Sequence, residues 1–267
     1  MQEHLDRIRD EFQKQARGFA NPQLTMNQEG YLQWILDSLT LSKSMTVLDV
    51  AAGTGILSRA IAPHVLQVVS ADLSDDMIRE GIRLNTEHKL DNIVYRQTDA
   101  ASLPFADGAF DLVVSRFAFH HFVDPGAVLD EMVRVCKPQG RVGVIDMSGP
   151  EDPVQYEGYN HYERLRDPSH TYALRHSYLT ELFQERQLGP ERADLLDVPV
   201  HVQRWMNLTQ PAPEVRDQIE RELREDLASP ERQTGMRPYE QSGELKFMQQ
   251  WSKIIGIKPQ QRAVRQL

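Results

Sequence analysis

Two patterns of hydrophobic residues alternate along the middle of the chain, one typical of strands and one typical of helices. Short runs of β-branched and apolar residues predict five strands, at 46–50, 65–71, 93–96, 110–115 and 141–147. Apolar residues three and four positions apart predict helices between them, at 55–62, 75–87 and 124–135. Strands that alternate with helices are typical of right-handed βαβ units around a parallel sheet.

The two ends of the chain have mainly helical patterns. Near the N-terminus, apolar spacing predicts a helix over 3–19, through Leu5, Ile8, Phe12, Ala16 and Phe19, and a second helix over 27–39. Beyond residue 148 it predicts helices at 156–165, 177–187 and 213–228, and strands at 195–203 and 244–255. We therefore expect three parts: N-terminal helices at 1–41, a sheet core at 42–147, and further helices with the last two strands at 148–267.

Composition narrows the class of protein. With 267 residues, of which 40% are hydrophobic, the chain can build one large α/β domain, alone or with an added cap. No run approaches 18 apolar residues, and the charged start of the chain lacks the apolar stretch of a signal peptide. Its single cysteine, Cys136, excludes a disulfide framework and a cysteine metal cluster. We expect a soluble cytoplasmic protein without a metal site.

The charge of the chain argues against one class of partner. Its 30 Lys and Arg residues face 39 Asp and Glu residues, which gives a net charge of −9. Binding to nucleic acid depends largely on Lys and Arg side chains that neutralise phosphates. We therefore expect neither nucleic acid nor an anionic membrane as the main partner.

The most informative stretch is the turn after the first predicted strand, Ala51-Ala52-Gly53-Thr54-Gly55. Small residues let a ligand lie against the backbone, and the helix that follows offers free N–H groups. In open α/β sheets, ligands bind at the carboxyl ends of the strands. The turn therefore predicts a ligand site at this edge of the sheet.

Two cofactor classes compete for that site. A dinucleotide fingerprint needs a third glycine where this chain has Ser58, and an acid before the turn, here Asp49, is not part of it. S-adenosylmethionine carries no phosphate but has a sulfonium and an ammonium, which suit a nearby acid. Asp72, after the second strand, suits ribose hydroxyls in either cofactor, and Asp99-Ala100, after the third, suits an adenine amino group. The pattern favours S-adenosylmethionine.

These residues resemble the class I S-adenosylmethionine-dependent methyltransferases, above all the branch of the ubiquinone/menaquinone C-methyltransferases (methyltransferase type 11). The stretches that carry the resemblance are 47–55, 71–74 with Met77, 99–100, 103–105, 110–113, 120–125 and 134–140. The resemblance implies a Rossmann-like, doubly wound sheet of seven strands with an antiparallel last strand and a helical cap. The cap is expected from the N-terminus and residues 148–190 and 205–240, and its helices within 148–267 are expected to bind the acceptor. It also implies S-adenosylmethionine as cofactor and S-adenosylhomocysteine as product.

The resemblance assigns roles to single positions. It places four residues at the methionine end of the cofactor: Asp49, Ala51, Gly53 and Gly55. Five residues are expected at the ribose and adenine: Asp72, Leu73, Met77, Asp99 and Ala100. Three more are expected near the methyl group: Ser115, Arg116 and His120. Phe12, Gln15, Ala16 and Phe19 resemble one face of a lid helix, which puts Phe19 beside the cofactor and makes 1–41 a lid. Ala51 stands where the family has glycine, which is acceptable if its φ angle is negative.

Two other groups of residues leave alternatives open. His120 and His121 follow the fourth strand, where an acceptor should lie, so either is a candidate catalytic base. They could instead shape the pocket or cap the helix that follows, because many methyl transfers need only proximity. Five tyrosines lie close together and could either line an acceptor pocket or pack a helix on the sheet: Tyr156, Tyr159, Tyr162, Tyr172 and Tyr178.

The sequence thus predicts methyl transfer from S-adenosylmethionine to a carbon, oxygen or nitrogen atom of a small molecule, by in-line displacement. Two alternatives remain, an RNA or protein methyltransferase and a non-catalytic S-adenosylmethionine-binding protein. We expect a monomer or a homodimer without membrane insertion.

Overall fold

The computed structural model describes residues 24–260 and, nearer the N-terminus, residues 7, 8, 11–13, 15, 18, 19 and 21. Ile8, Phe12 and Phe19 of the predicted N-terminal helix are helical, whereas Leu5 and Ala16 lie outside the described residues. Across the described part, no helix is long and apolar enough to cross a membrane.

Helices and strands alternate through the core, as the hydrophobic pattern predicts. The strands are β1 (Thr46–Val50), β2 (Gln67–Asp72), β3 (Ile93–Gln97), β4 (Phe110–Arg116), β5 (Cys136–Ser148), β6 (Gly189–His201), β7 (Pro238–Gln241) and β8 (Glu244–Ile257). The helices are α1 (Glu29–Leu36), α2 (Ile56–Ile61), α3 (Asp75–Glu87), α4 (Pro125–Val135), α5 (Pro153–Arg166), α6 (His176–Glu185), α7 (Val202–Thr209) and α8 (Pro213–Ala228). Short 3-10 helices are formed by Thr25–Asn27, Ala62–His64 and Phe119–His121.

All eight strands belong to one sheet, in the order β3-β2-β1-β4-β5-β8-β6, with β7 paired to β8. Strands β1 to β5 are parallel, and β8 runs antiparallel between β5 and β6. This is the doubly wound, Rossmann-like sheet with an antiparallel last strand that the sequence predicts. The carboxyl ends of β1, β2 and β4 meet at one edge of the sheet. The strand order reverses between β1 and β4, and ligands bind at such a point in open α/β sheets.

The expected count of seven strands is wrong, because β7 adds an eighth. This strand has four residues, begins with Pro238 and carries polar side chains, so it has no alternating apolar pattern to detect. It turns back into β8 through Ser242 and Gly243, whose φ angles of 53° and 77° are those of a tight hairpin turn.

Three further features differ from the sequence prediction. The strand expected at 141–147 begins earlier, at Cys136, and so contains Gln139, whose φ angle is 66°. The strand expected at 195–203 begins earlier, at Gly189, and gives way to α7 at Val202. The helix α6 was expected in the cap but packs with α4 on the sheet, through Leu179 and Leu182.

The core has three parts. Helices α1 and α2 cover one face of the sheet, and α4 and α6 cover the other. A third cluster joins α5, α7 and α8 to the far ends of β6 and β8, and includes Tyr159, Trp205, Phe247 and Trp251. This cluster is the helical cap, and it stands beside the carboxyl edge of the parallel strands.

Candidate active site

A cavity opens at the carboxyl ends of β1, β2 and β4, and most of the predicted cofactor residues line it. The space between its walls is about 1020 Å³, counted out to the mouth. The predicted residues on its walls are Phe19, Asp49, Ala51, Gly53, Asp72, Leu73, Met77, Asp99, Ala100, Arg116 and His121. We call it the main cavity.

Gly55 does not line the main cavity, and packing explains why this position is glycine. Its φ angle is 78°, and a Cβ atom added here would lie 2.2 Å from the hydroxyl oxygen of Tyr95. That hydroxyl donates a hydrogen bond to the carbonyl oxygen of Thr54 at 3.1 Å. Gly55 therefore lets β3 support the turn from behind.

Ser115 and His120 also lie off the cavity wall. Ser115 is fully buried in β4, and its hydroxyl has no hydrogen-bond partner among the described residues. His120 is buried behind His121, with its Nδ1 atom 2.6 Å from Oδ1 of Asp146. These two positions are close to the site without forming its surface.

The carboxylate of Asp49 is the deepest charge on the cavity wall. It is 1% exposed, and its Oδ2 atom accepts a hydrogen bond from the Ser58 hydroxyl at 2.6 Å. Burial raises the pKa of Asp49 to about 6, against the hydrogen bond from Ser58 and the charge of Arg116, which lower it. A buried acid of this kind favours a cationic ligand group, which would lower its pKa again.

Asp72 holds the glycine turn against β2. Its Oδ2 atom accepts from the backbone N–H of Gly53 at 2.7 Å, and its Oδ1 atom accepts from the N–H of Ser74 at 2.8 Å. Ser74 in turn caps α3 through a hydrogen bond from the N–H of Met77. Burial raises the pKa of Asp72, although the backbone hydrogen bonds oppose the shift. The side chain thus shapes the turn as well as facing the cavity.

Ala51 corrects one expectation. Its φ angle is 52°, not negative, so an alanine stands in the left-handed region that favours glycine. The turn requires this angle because the N–H of Ala52 bonds back to the carbonyl of Ala71 at 3.0 Å as the chain leaves β1. Left-handed backbone at a residue other than glycine concentrates at ligand sites, where surrounding contacts hold it in place.

His121 is the histidine that faces the main cavity, and its hydrogen bonds fix its tautomer. Its Nδ1 atom lies 3.1 Å from the carbonyl oxygen of Ser169 and 3.2 Å from the hydroxyl of the same residue. The carbonyl can only accept, and the hydroxyl already donates to Asp167 at 2.5 Å. Nδ1 therefore carries the hydrogen, and Nε2 keeps its lone pair.

Burial and a neighbouring histidine keep His121 neutral. Burial is the larger cause, and together with His120, whose ring centroid is 4.1 Å away, it lowers the pKa of His121 to about 4. Burial also lowers the pKa of His120, but the Asp146 carboxylate outweighs it and raises that pKa overall. The pair thus combines a neutral histidine on the cavity wall with a second histidine that tends to hold its proton.

Three described residues of the N-terminal segment lie on the wall of the main cavity. They are Ile8, Phe12 and Phe19, and the ring of Phe12 meets that of His121 edge-on at 5.0 Å. The guanidinium of Arg116 donates to the carbonyl of Met26 at 2.7 Å and so ties the segment before α1 to β4. The lid itself stays a prediction, which these contacts favour.

Several lining residues were not predicted as cofactor residues. Phe12 was expected only on the lid, and Ile8, Thr54, Ile56, Leu57, Thr98, Phe117 and Phe122 had no predicted role at the cofactor. Asp146, the partner of His120, lies on β5 and was also missed. The stretch around Asp167 and Ser169 had a visible signal, a cluster of polar residues after α5.

Four of the five tyrosines pack against neighbouring residues, and Tyr178 is exposed. Tyr159 and Tyr162 are buried in the cap cluster, and Tyr156 lies under the guanidinium of Arg175 at 4.2 Å from the ring centroid. Within residues 24–260, none of the five lines the main cavity. The described residues also contain no group of three or more His, Cys, Asp or Glu placed to hold a metal ion.

Known proteins resemble the sequence over the sheet core. A family model described as a methyltransferase domain matches residues 48–144. YcgJ of Bacillus subtilis, named an uncharacterized methyltransferase, is 36% identical over 60% of this chain and 63% of its own length. Demethylmenaquinone methyltransferase of Clavibacter sepedonicus is 37% identical over 52% of this chain and 58% of its own length. The chain therefore spans about three fifths of these curated relatives.

The solved structures extend the match beyond the core. The crystal structure of Bacillus subtilis YcgJ has a TM-score of 0.79 at 30% identity, over 86% of this chain and 98% of that one. The chain belongs to this methyltransferase family. A putative methyltransferase from Bacillus halodurans C-125 has a TM-score of 0.80 at 26% identity, over 86% of this chain and 99% of that one. The cofactor that the sequence predicts for a methyltransferase of this kind is S-adenosylmethionine.

The walls of the main cavity fit this cofactor. Asp49 and Asp72 supply buried carboxylates for a cationic group and for hydroxyls, and Met77 supplies an apolar surface. The hydroxyl of Thr54 lies on the wall, is buried, and has no hydrogen-bond partner within the described residues. Buried polar atoms of this kind are costly unless a ligand or water satisfies them. The unsatisfied hydroxyl is therefore expected to meet a bound ligand.

Proposed function

We propose that the chain transfers a methyl group from S-adenosylmethionine to a small-molecule acceptor. One observation carries the proposal: eleven residues predicted from sequence as cofactor or catalytic residues lie on the walls of one cavity at the carboxyl edge of the sheet. The shared fold of the family supports it.

Each end of the cavity has a role in this proposal. Asp72 holds the ribose hydroxyls, and Leu73 and Met77 pack on the adenine, whose edge meets Asp99 and Ala100. Asp49 faces the positively charged methionine end, beside the backbone of Ala51 and Gly53. Arg116 keeps the Asp49 carboxylate ionised, because its charge lowers the pKa that burial raises.

The lid residues exclude water. When bound, S-adenosylmethionine supplies a methyl group on a positively charged sulfur. The sulfur is a good leaving group, because it becomes a neutral thioether when the methyl group departs. Phe12 and Phe19 close the cavity with apolar rings 6.0 Å apart. Excluding water strengthens the electrostatic contacts inside a site and fixes the reacting partners in place.

His121 is positioned to accept a proton from the acceptor. Its Nε2 lone pair follows from the hydrogen bonds at Nδ1, and burial, which lowers its pKa to about 4, keeps the ring neutral at pH 7 but makes it a weak base. It therefore suits an acceptor whose proton becomes acidic as the methyl group is transferred. His120 does not line the cavity, so it acts as a positioning residue, held by Asp146 and packed against His121. An acceptor that loses no proton needs only the positioning.

A small molecule is favoured over RNA as acceptor. The net charge of −9 disfavours a polyanion, and the relative from Clavibacter sepedonicus is named for a small acceptor, demethylmenaquinone. Whether the chain works as a monomer or a homodimer stays a prediction.

A labelling experiment tests the proposal. The purified chain is incubated with methyl-tritiated S-adenosylmethionine and either a low-molecular-weight metabolite extract or bulk tRNA, with Asp72→Ala as the matched control. We expect label in the small-molecule fraction, and much less with Asp72→Ala. Label in tRNA would support the RNA methyltransferase instead. Cofactor binding without transfer to any acceptor would support the non-catalytic binding protein.

A further inference from the structure

The stretch that follows α5, residues 167–171, holds the ring of His121 from behind the cavity wall. Ser169 offers its carbonyl oxygen and its hydroxyl to Nδ1 of His121, at 3.1 and 3.2 Å. The same hydroxyl donates to Oδ1 of Asp167 at 2.5 Å, and the backbone N–H of Ser169 donates to that atom at 2.9 Å. One hydroxyl group therefore connects the carboxylate of Asp167 with the ring of His121.

Neighbouring contacts keep this stretch in place. The N–H and the hydroxyl of Thr171 both donate to the carbonyl oxygen of His120, at 2.8 and 2.7 Å. Nε2 of His170 donates to the side-chain oxygen of Asn160, on α5, at 2.9 Å. The stretch is thus fixed both to α5 and to the backbone beside His121, which is what a group that orients another side chain requires.

Asp167 brings a buried negative charge close to His121. Burial raises the pKa of this carboxyl, but the charges of His121 and Arg166 and the hydrogen bonds from Ser169 outweigh burial and lower it. Arg166 is a shared cation, with its guanidinium 3.0 Å from Glu163 and 3.9 Å from Asp167. Among these three buried side chains, two carboxylates and one guanidinium leave one negative charge unbalanced.

That charge acts when the acceptor loses a proton. When the acceptor atom takes the methyl group, its bond to hydrogen breaks, the electron pair stays with the acceptor, and the proton passes to Nε2 of His121. The ring thereby gains the positive charge that the sulfur loses, and Nδ1 keeps its hydrogen. A carboxylate one hydroxyl group away stabilises this charged ring more than the neutral one.

We propose that Asp167 and Ser169 are positioning residues for His121 in methyl transfer. Ser169 holds the ring, and Asp167 supplies, through the Ser169 hydroxyl, the negative charge that stabilises the protonated ring. The proposal rests on the proposed function, since it needs an acceptor that gives up a proton to His121. Both residues belong to the described part of the chain and neither lines the main cavity, so they act through His121.

A rival explanation is that Asp167 only shapes a turn. Its carboxylate accepts from the N–H two residues further on, and asparagine makes the same turn. Asp167→Asn therefore keeps the turn and removes the charge. The rival explanation predicts that this variant behaves like the unaltered chain, whereas our proposal predicts a changed base.

Titration of His121 gives a readout that needs no acceptor. The nine histidines are labelled with ¹⁵N and followed by NMR from pH 7.5 to pH 4.5, and the spectrum of His121→Gln identifies the signals of His121. Asp167→Asn should lower the pKa of His121 below its value of about 4. The protonated fraction of the ring at pH 4.5 should then fall roughly tenfold. Ser169→Ala should shift it in the same direction.

Both variants leave the other charged or titratable groups around this ring and its cavity as they are: His120, His170, Asp146, Arg166, Asp49 and Arg116. A shift shared by the two variants therefore reports on Asp167 and its link through Ser169.

Transfer of label from methyl-tritiated S-adenosylmethionine into the metabolite extract is the second readout. Asp167→Asn and Ser169→Ala should each lower the initial rate by about tenfold or more, since a general base contributes roughly 10²- to 10⁴-fold. The calorimetric affinity for S-adenosylhomocysteine should stay the same. The double variant should be no slower than the slower single variant, because the two residues act on His121 together.

Asp152→Asn is the matched control. Asp152 lies at the other end of α5, where its exposed carboxylate accepts from the N–H groups of Val154 and Gln155 at 3.0 Å. Asparagine caps a helix as well as aspartate does, so this variant should change neither the titration of His121 nor the rate of transfer.

The outcomes separate this inference from the function on which it rests. If Asp167→Asn titrates and transfers label as the unaltered chain does, Asp167 only shapes the turn and the proposal is wrong. If the titration shifts but the rate stays the same, the proton does not go to His121, and the proposal is wrong as well. Failure of the unaltered chain to bind S-adenosylhomocysteine or to transfer label would instead overturn the proposed function, and with it any role of Asp167 in transfer.

Discussion

Replacing Asp49 with asparagine should stabilise the ligand-free protein and weaken its binding of cofactor. Burial raises the pKa of this carboxyl to about 6, from an ordinary value of 3.8. At pH 7 the folded protein therefore holds a charge that burial disfavours, at a cost of about 3 kcal/mol in the free energy of unfolding. Asparagine removes the charge but adds a buried N–H₂ group that needs a partner, which offsets about 1 kcal/mol. The net gain should be about 2 kcal/mol.

The sign of the pH dependence follows from the direction of the pKa shift. A carboxyl with a raised pKa in the folded state binds its proton more tightly there, so the cost of Asp49 grows as the pH rises from about 4 to 6 and is full above 6. At pH 4.5 the cost is only about 1 kcal/mol, and the advantage of asparagine should vanish.

Urea unfolding at pH 7.5 and pH 4.5 measures the difference. Asp111 provides the control, because its carboxylate accepts from the N–H of Thr46 and from Lys137, and these contacts outweigh burial and lower its pKa. Asp111→Asn should therefore destabilise the protein at pH 7.5, opposite to Asp49→Asn. Calorimetry with S-adenosylhomocysteine should show weaker binding by Asp49→Asn. If Asp49→Asn destabilises the protein at pH 7.5, or stabilises it equally at both pH values, the account of Asp49 as a costly buried charge is wrong.

Three further substitutions test other parts of the account. Phe12→Ala should weaken the binding of S-adenosylhomocysteine in calorimetry, because it removes a ring from the lid, while the unfolding midpoint in urea stays nearly the same; an unchanged affinity would argue against the lid. Gly55→Ala should lower the free energy of unfolding by about 2 kcal/mol or more, because alanine is strained at this φ angle and its Cβ atom collides with the Tyr95 hydroxyl. Adding Tyr95→Phe should restore part of that free energy. If the double variant is no more stable than Gly55→Ala, the packing explanation is wrong. Asp146→Asn should lower kcat and shift its pH profile while the KM for cofactor stays unchanged, since Asp146 acts through His120; a change in the cofactor KM alone would contradict this role.

The cofactor side of the site could be predicted from sequence because its signals are local. A β-branched run followed by small residues places Asp49 and Gly53 at a strand end, and a second such run places Asp72 at the next. Parallel strands bring their carboxyl ends together whatever the rest of the chain does. Eleven predicted residues therefore converge on one cavity.

The remaining features depend on contacts between distant segments, which spacing does not show. Gly55 is glycine because Tyr95, on β3, occupies the space behind it. His120 turns away from the cavity because Asp146, on β5, holds its ring. The left-handed angle at Ala51 follows from the bond between Ala52 and β2, and not from the residue type.

The most direct test of the central claim is a calorimetric titration of the unaltered chain and of Asp72→Ala with S-adenosylhomocysteine and, separately, with NAD. We expect the unaltered chain to bind S-adenosylhomocysteine and to show no comparable binding of NAD. We further expect Asp72→Ala to lose about 1.5–3 kcal/mol of binding free energy, the range for hydrogen bonds to a charged group. Binding of NAD alone, or an unchanged affinity of Asp72→Ala for S-adenosylhomocysteine, would contradict it.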